Sequence, residues 1–164
     1  MSTAPPAVAS ARFAHVNLVA QDWERLAAFY ERVFGCTRVP PERDLSGAWL
    51  EAGTGVQGAR VRGIHLRLPG GPGRDTSGGP TLEIFSYHPE LDPLSTAPNR
   101  PGWGHIAFAV EDVAAAREAV LDAGGRALGE LISTEIEGAG AITFGYVADP
   151  EGNVIELQRW SGGH

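Results

Sequence analysis

The stretch "FAHVNLVAQDWERLAAFYERVFG", Phe13 to Gly35, has a near copy later in the chain, "WGHIAFAVEDVAAAREAVLDAGG", Trp103 to Gly125. The two align without a gap, placing His15 on His105, Asp22 on Asp112 and Gly35 on Gly125. A repeat of this kind is one supersecondary unit used twice, so it decides the fold before any single residue does. Each copy opens with a period-two run. Ala14, Val16, Leu18 and Ala20 form one face against Phe13, His15, Asn17 and Val19; Ile106, Phe108 and Val110 oppose Trp103, His105, Ala107 and Ala109. Both histidines therefore stand on the face away from the aliphatics. Asp22 and Asp112 sit where a helix N-cap belongs. Apolar residues then recur at helical spacing, Leu26, Phe29, Tyr30 and Val33 in one copy and Val113, Ala116, Val120 and Leu121 in the other. Gly35 and Gly124-Gly125 close the two helices.

Beyond each helix the pattern returns to short strands. In the first half these are expected at Thr37 to Val39, Ala48 to Ala52, Val61 to Leu68 and Thr81 to Tyr87; in the second, at Arg126 to Ile136, Ala141 to Ala148 and Val154 to Trp160. The expectation is an α+β chain of two halves, each a strand, a helix and about three strands. Residues 13–88 form the first module, 102–160 the second, and the proline-rich 89–101 a linker, with tails at 1–12 and 161–164. "DPEGN", Asp149 to Asn153, is a hairpin turn. "PGGPGRDTSGGP", Pro69 to Pro80, lacks the Lys-Ser/Thr ending of a phosphate-binding loop and reads as a flexible hairpin loop.

Composition narrows the partners. A length of 164 residues fits one compact domain, and 43% apolar with 20% charged residues supplies a core. The net charge of −7, without a basic cluster, disfavours nucleic acid. No apolar run reaches the roughly 20 residues of a membrane span, and "MSTAPPAVASAR" has neither the basic nor the apolar region of a signal peptide. The lone Cys36 suits a reducing, cytoplasmic setting.

The repeat carries a second pair of matched residues. "TLEIFSY" ends the first half and "VIELQRW" the second, aligning Glu83 with Glu156. Strand parity puts each glutamate opposite its aliphatic neighbours, in company with Thr81, Phe85 and Tyr87 or with Val154, Gln158 and Trp160. A carboxylate in such a place needs a partner, because a desolvated bare charge costs several kcal/mol. His15, Glu83, His105 and Glu156 thus occupy matching places in two copies of one motif, and pseudo-twofold symmetry would gather them on one concave surface. Two imidazoles and two carboxylates suit a divalent ion such as Ni, Zn, Co, Mn or Fe(II). Three of them also satisfy the two-His-one-carboxylate pattern of non-haem iron oxygenases.

With "HVNLVAQDWERLAAFYERVFG", "TLEIFSY", "GWGHIAFAVEDVAAA" and "VADPEGNVIELQRW", the chain resembles the vicinal oxygen chelate superfamily from Phe13 to Trp160. That group includes glyoxalase I, methylmalonyl-CoA epimerase, extradiol dioxygenases and fosfomycin or bleomycin resistance proteins. The resemblance implies two βαβββ modules forming a cupped mixed sheet with helices outside. It also implies metal ligands from the first and last strand of each module, at His15, Glu83, His105 and Glu156, a set most like that of bacterial glyoxalase I. The implied chemistry is abstraction of a proton next to a metal-bound carbonyl of a small molecule, with Glu83 or Glu156 as the base. Dimers are common in the superfamily, and a homodimer is expected. The glyoxalase I residues that hold glutathione, an Arg, an Asn and an Arg, are replaced here by Val19, Tyr87 and Pro101. Such a substrate would lose its bidentate anchors. Alternatives within the resemblance are an Fe(II)- or Mn(II)-dependent dioxygenase and a resistance protein that binds an antibiotic or metabolite. Asn17, His65, Arg67, Phe85, Tyr87, Trp103, Gln158 and Trp160 are the candidate substrate contacts on the same face.

Overall fold

The computed structural model describes residues 13–70 and 79–161. The expected tail at 1–12, residues 162–164 of the expected tail at 161–164 and the centre of the Gly-rich loop, 71–78, lie outside them; Ser161, expected in that tail, instead ends the last strand. The first module comprises β1 (His15–Val19), α1 (Trp23–Phe34), β2 (Thr37–Ser46), α2 (Ala48–Thr54), β3 (Arg60–Arg67) and β4 (Thr81–His88). The second comprises β5 (Ile106–Ala109), α3 (Val113–Asp122), β6 (Arg126–Ile136), β7 (Gly140–Ala148) and β8 (Val154–Ser161). Each module has its own four-stranded mixed sheet, in the order β1-β4-β3-β2 and β5-β8-β7-β6. β1 runs parallel to β4 and β5 to β8, and the other neighbours are antiparallel. The fold is α+β and is built from two βαβββ modules, as the repeat indicates.

Both helix starts use the aspartate found in the sequence. Asp22 accepts a hydrogen bond from the Arg25 N–H at 3.0 Å and Asp112 from the Ala115 N–H at 2.9 Å, each contributing about 1 kcal/mol. Gly35 ends α1 at φ 67°. At Gly125 the reason is space, since a Cβ there would run into the Ala148 carbonyl and Val120.

One assignment is corrected. Ala48 to Ala52, expected as a strand, is the helix α2, and the strand before it is longer than the sequence suggested. β2 is expected at Thr37 to Val39, ahead of Pro40 and Pro41. It instead continues to Ser46 with a register shift between Val39 and Arg43. β2 is an edge strand, and a bulge leaves backbone donors unpaired in any case, so prolines fit there. β6 shifts register at the matching place, between Leu128 and Ile132. With β2 complete, Ala-Trp-Leu-Glu-Ala is free to follow its strong helix propensity. Leu50 then buries against Ala59 and Val61, with Leu45, Val56, Phe85 and Tyr87 packed around them. The second module has no such insertion, because β6 and β7 join through a tight turn.

The main core lies between the sheets and their helices and is common to both modules. Leu26, Tyr30, Ile64, Leu66, Leu82 and Ile84 join Val120, Val147, Ile155 and Leu157 in it, each contributing about 1.5–3 kcal/mol on burial. Phe34 of α1 stacks on Phe108 of β5 with ring centroids 4.0 Å apart. The β7–β8 turn also fastens onto α1. The Glu151 carboxylate accepts from the N–H groups of Gln21 and Asp22, both at 2.8 Å, and the Tyr30 hydroxyl donates to Asp149 at 3.0 Å. Among the described residues no helix is long and apolar enough to cross a membrane.

Candidate functional site

The face of each sheet turned away from its helix carries the residues singled out above. In the first module the register sets Asn17 and His65 on either side of Glu83, on the two neighbouring strands. The His15 Nε2 lies 3.3 Å from Glu83 Oε2, and Asn17 donates to the same oxygen at 3.4 Å. The other oxygen, Oε1, faces His65 Nε2 at 3.0 Å. His65 Nδ1 in turn lies 3.2 Å from the Thr81 hydroxyl. Glu83 is thus largely enclosed, its side chain 13% exposed, with His15, Asn17 and His65 around its carboxylate. Burial holds the His65 pKa below the ordinary histidine range; the Glu83 charge works against this, while Arg43 and His15 add to it.

The second module repeats the arrangement with one change. His105 Nε2 lies 3.0 Å from Glu156 Oε2, and Glu156 is 14% exposed. The residue paired with Glu156 across β7 is Tyr146, where Glu83 has His65. The Tyr146 ring meets that of His105 edge-on at 5.3 Å. Its phenol pKa is raised, first by burial and then by the Glu156 charge. Tyr146 was absent from the sequence-derived candidates. Its parity against the core residue Val147 was the available signal.

The four residues form two His-Glu pairs, one at each sheet; His105, expected within the strand, stands just ahead of β5, which begins only at Ile106. Among the described residues no group of three or more His, Cys, Asp or Glu side chains is arranged to hold a metal ion. The donor chemistry of each pair nevertheless fits half a divalent-metal shell. An imidazole Nε2 and a carboxylate oxygen face each other at 3.0–3.3 Å, and both are donor types that a divalent cation takes.

The remaining candidates divide. Arg67 is engaged by the Gly79 carbonyl. Phe85 and Tyr87 pack into the small core under α2, with Phe85 also edge-on to His65 at 5.6 Å. Gln158 accepts from the Trp160 indole at 2.9 Å. Trp103 is 94% exposed, ahead of β5. A cavity of about 630 Å³ lies elsewhere, at the start of α1 among Trp23, Arg60, Arg62, Ser86, Tyr87 and His88, and shares only Tyr87 with these candidates.

Residues 12–157 match the glyoxalase/bleomycin resistance protein/dioxygenase superfamily. The chain belongs to that superfamily. Solved structures agree at the level of the fold. A glyoxalase family protein from Bacillus cereus is 20% identical, with a TM-score of 0.71 over 98% of this chain and 100% of that one. A glyoxalase I mutant from Zea mays is 22% identical, with a TM-score of 0.58 over 90% of this chain and 44% of that one. A fosfomycin resistance protein from Listeria monocytogenes is 15% identical, with a TM-score of 0.53 over 92% and 94%. No curated protein matches. Superfamily membership accounts for the paired modules and leaves the chemistry to be argued from the two pairs.

Proposed function

We propose that this protein is a divalent-metal-dependent isomerase or lyase, glyoxalase I-like or epimerase-like, acting next to a carbonyl of a small molecule. We further propose that its site joins the His15–Glu83 pair of one chain to the His105–Glu156 pair of a second copy. The carrying observation is that both modules present an imidazole facing an enclosed carboxylate at the same place in the repeat. What supports a second copy is that the two pairs stand at separate sheets and that, among the described residues, neither is joined by a third ligand-type side chain in a metal-holding group. β1 and β5, which bear or adjoin the histidines, are both edge strands with an open side, and Val19 on β1 is 55% exposed. An open edge next to exposed apolar surface favours association.

A divalent ion held by these residues would supply a Lewis acid toward the substrate carbonyl. The protein's own part is to bind the substrate on this face, exclude water and accept the proton. Glu156 is the better placed base: among the described residues the only close polar approach to it is His105 on Oε2, while Oε2 of Glu83 accepts from Asn17 and its Oε1 lies 3.0 Å from His65. A glutathione adduct is disfavoured, since Val19 offers no cation and Tyr87 belongs to the core under α2. Metal analysis of the wild type beside His105→Ala and Glu156→Ala tests the reading. Tightly held metal in the wild type and its loss in both variants is expected, and equal content in all three refutes it.

A further inference from the structure

The two carboxylates are not held alike, and the difference lies in one residue. Across the register from Glu156 stands Tyr146, with no hydrogen bond to that glutamate; across from Glu83 stands His65, 3.0 Å from Oε1. We infer that His65 is a positioning residue for the metal site. It holds Glu83 through the 3.0 Å approach of its Nε2 to Oε1, which leaves Oε2, the oxygen that accepts from Asn17 and faces His15, for the ion. This rests on the metal reading above and adds to it a residue outside the four ligands.

The proton positions follow from the partners. A carboxylate oxygen faces the His65 Nε2 at 3.0 Å, which places the ring proton on that nitrogen. In the neutral ring Nδ1 is then an acceptor, and the Thr81 hydroxyl at 3.2 Å is the group that donates to it. Thr81, His65 and Glu83 thus stand in line, with 3.2 Å and 3.0 Å between successive polar atoms. His65 is itself braced: Phe85 lies edge-on at 5.6 Å, and His15 lies edge-on at 6.0 Å. Gly63, one rung along from His65 on the same face, makes room for the Phe85 ring, since a Cβ there would overlap it. A ligand carboxylate held by such an outer polar contact loses less freedom when it binds a metal, and removing the partner typically weakens affinity about 10- to 100-fold.

The test uses the full-length protein and Co(II), titrated against a competing chelator and followed by absorption. His65→Leu fills the space without donating, and His65→Gln keeps an N–H donor. The expected result is Co(II) binding weakened about 10- to 100-fold in His65→Leu and largely retained in His65→Gln, with circular dichroism showing both folded. Thr81→Val, which spares the imidazole and removes only the hydroxyl that orients it, is expected to weaken binding to a smaller degree. Binding by His65→Leu equal to wild type, or equal losses in the Leu and Gln variants, overturns the inference while leaving the metal reading intact. A second readout needs no metal. Long-range ¹H–¹⁵N correlation on the metal-free protein is expected to show His65 protonated at Nε2, and the Nδ1 tautomer would overturn the proposed hydrogen-bond chain. Failure of the wild type to take up Co(II) refutes the metal reading itself.

Discussion

Asp149 is the one charged or polar side chain fully buried among the described residues, and its surroundings show what that requires. One oxygen accepts from the N–H groups of Glu151 and Asn153, at 2.9 and 3.0 Å; the other accepts from the Tyr30 hydroxyl and the Asn153 amide, at 3.0 and 2.8 Å. Four donors replace the lost water, and one of them comes from the other module. Tyr30→Phe removes that donor without opening a cavity. It is expected to cost about 1–2 kcal/mol, seen as a fall of roughly 2–8 °C in Tm. The same pair sets a pH limit. Burial, then the neighbouring Asp149 charge and hydrogen bond, raise the Tyr30 pKa well above the ordinary tyrosine range. Above about pH 10 the unfolded chain gives up this proton while the folded one keeps it, so stability falls as pH rises from there. Urea titrations at pH 8 and pH 10.5 should show the wild type losing more stability than Tyr30→Phe. Equal losses would mean that Tyr30 ionisation is not what limits alkaline stability.

At the scale of elements, the strand-helix repeat was legible because its causes are local. A capping aspartate, a helical stripe and a closing glycine each act within a few residues, and both copies carry all three. The His-Glu pairing was legible for a related reason, since parity along a strand fixes the face on which a side chain emerges. The extension of β2 and the helix α2 were not legible. Pro40 and Pro41 are strand breakers unless the strand is a bulged edge, a property of the sheet and not of the tripeptide. The comparison with β6, which shifts register at the matching place, was the route to it. Tyr146 was missed because its role depends on which residue of β7 lies across from Glu156. The β3–β4 pair makes a testable case of such cross-strand dependence. A Cβ on Gly63 would overlap the Ile84 carbonyl oxygen and the Phe85 ring. Gly63→Ala should therefore destabilise the protein by about 1–3 kcal/mol. It should also shift the NMR signals of the neighbouring His65 and Glu83. A neutral effect in urea denaturation would show that the two strands can part without cost.

For the whole molecule, the question is how two half-shells become one site. Within the chain the modules are tied at their helix side, through the Phe34–Phe108 stack, Tyr30 to Asp149, and Glu151 to the Gln21 and Asp22 N–H groups just ahead of α1. Those ties fix the sheets relative to each other and leave β1 and β5 as edges. If a symmetric dimer then pairs the first module of one chain with the second module of its partner, two composite sites result, each holding a half from either chain. This arrangement makes a prediction that a site within one chain does not. A variant with His15→Ala and Glu83→Ala spoils one half-shell, and a variant with His105→Ala and Glu156→Ala spoils the other. Each alone should retain no tightly held metal. Denatured together in equal amounts and refolded, random pairing makes half of the dimers mixed. In a mixed dimer one composite site has lost all four ligands and the other is intact, so metal content should recover to about a quarter of wild type. A site confined to one chain would give no recovery, because neither parent carries a complete set. Sedimentation analysis of the refolded mixture separates the remaining case: a monomer that recovers nothing excludes the shared site, whereas a dimer that recovers nothing places its interface elsewhere on the sheets.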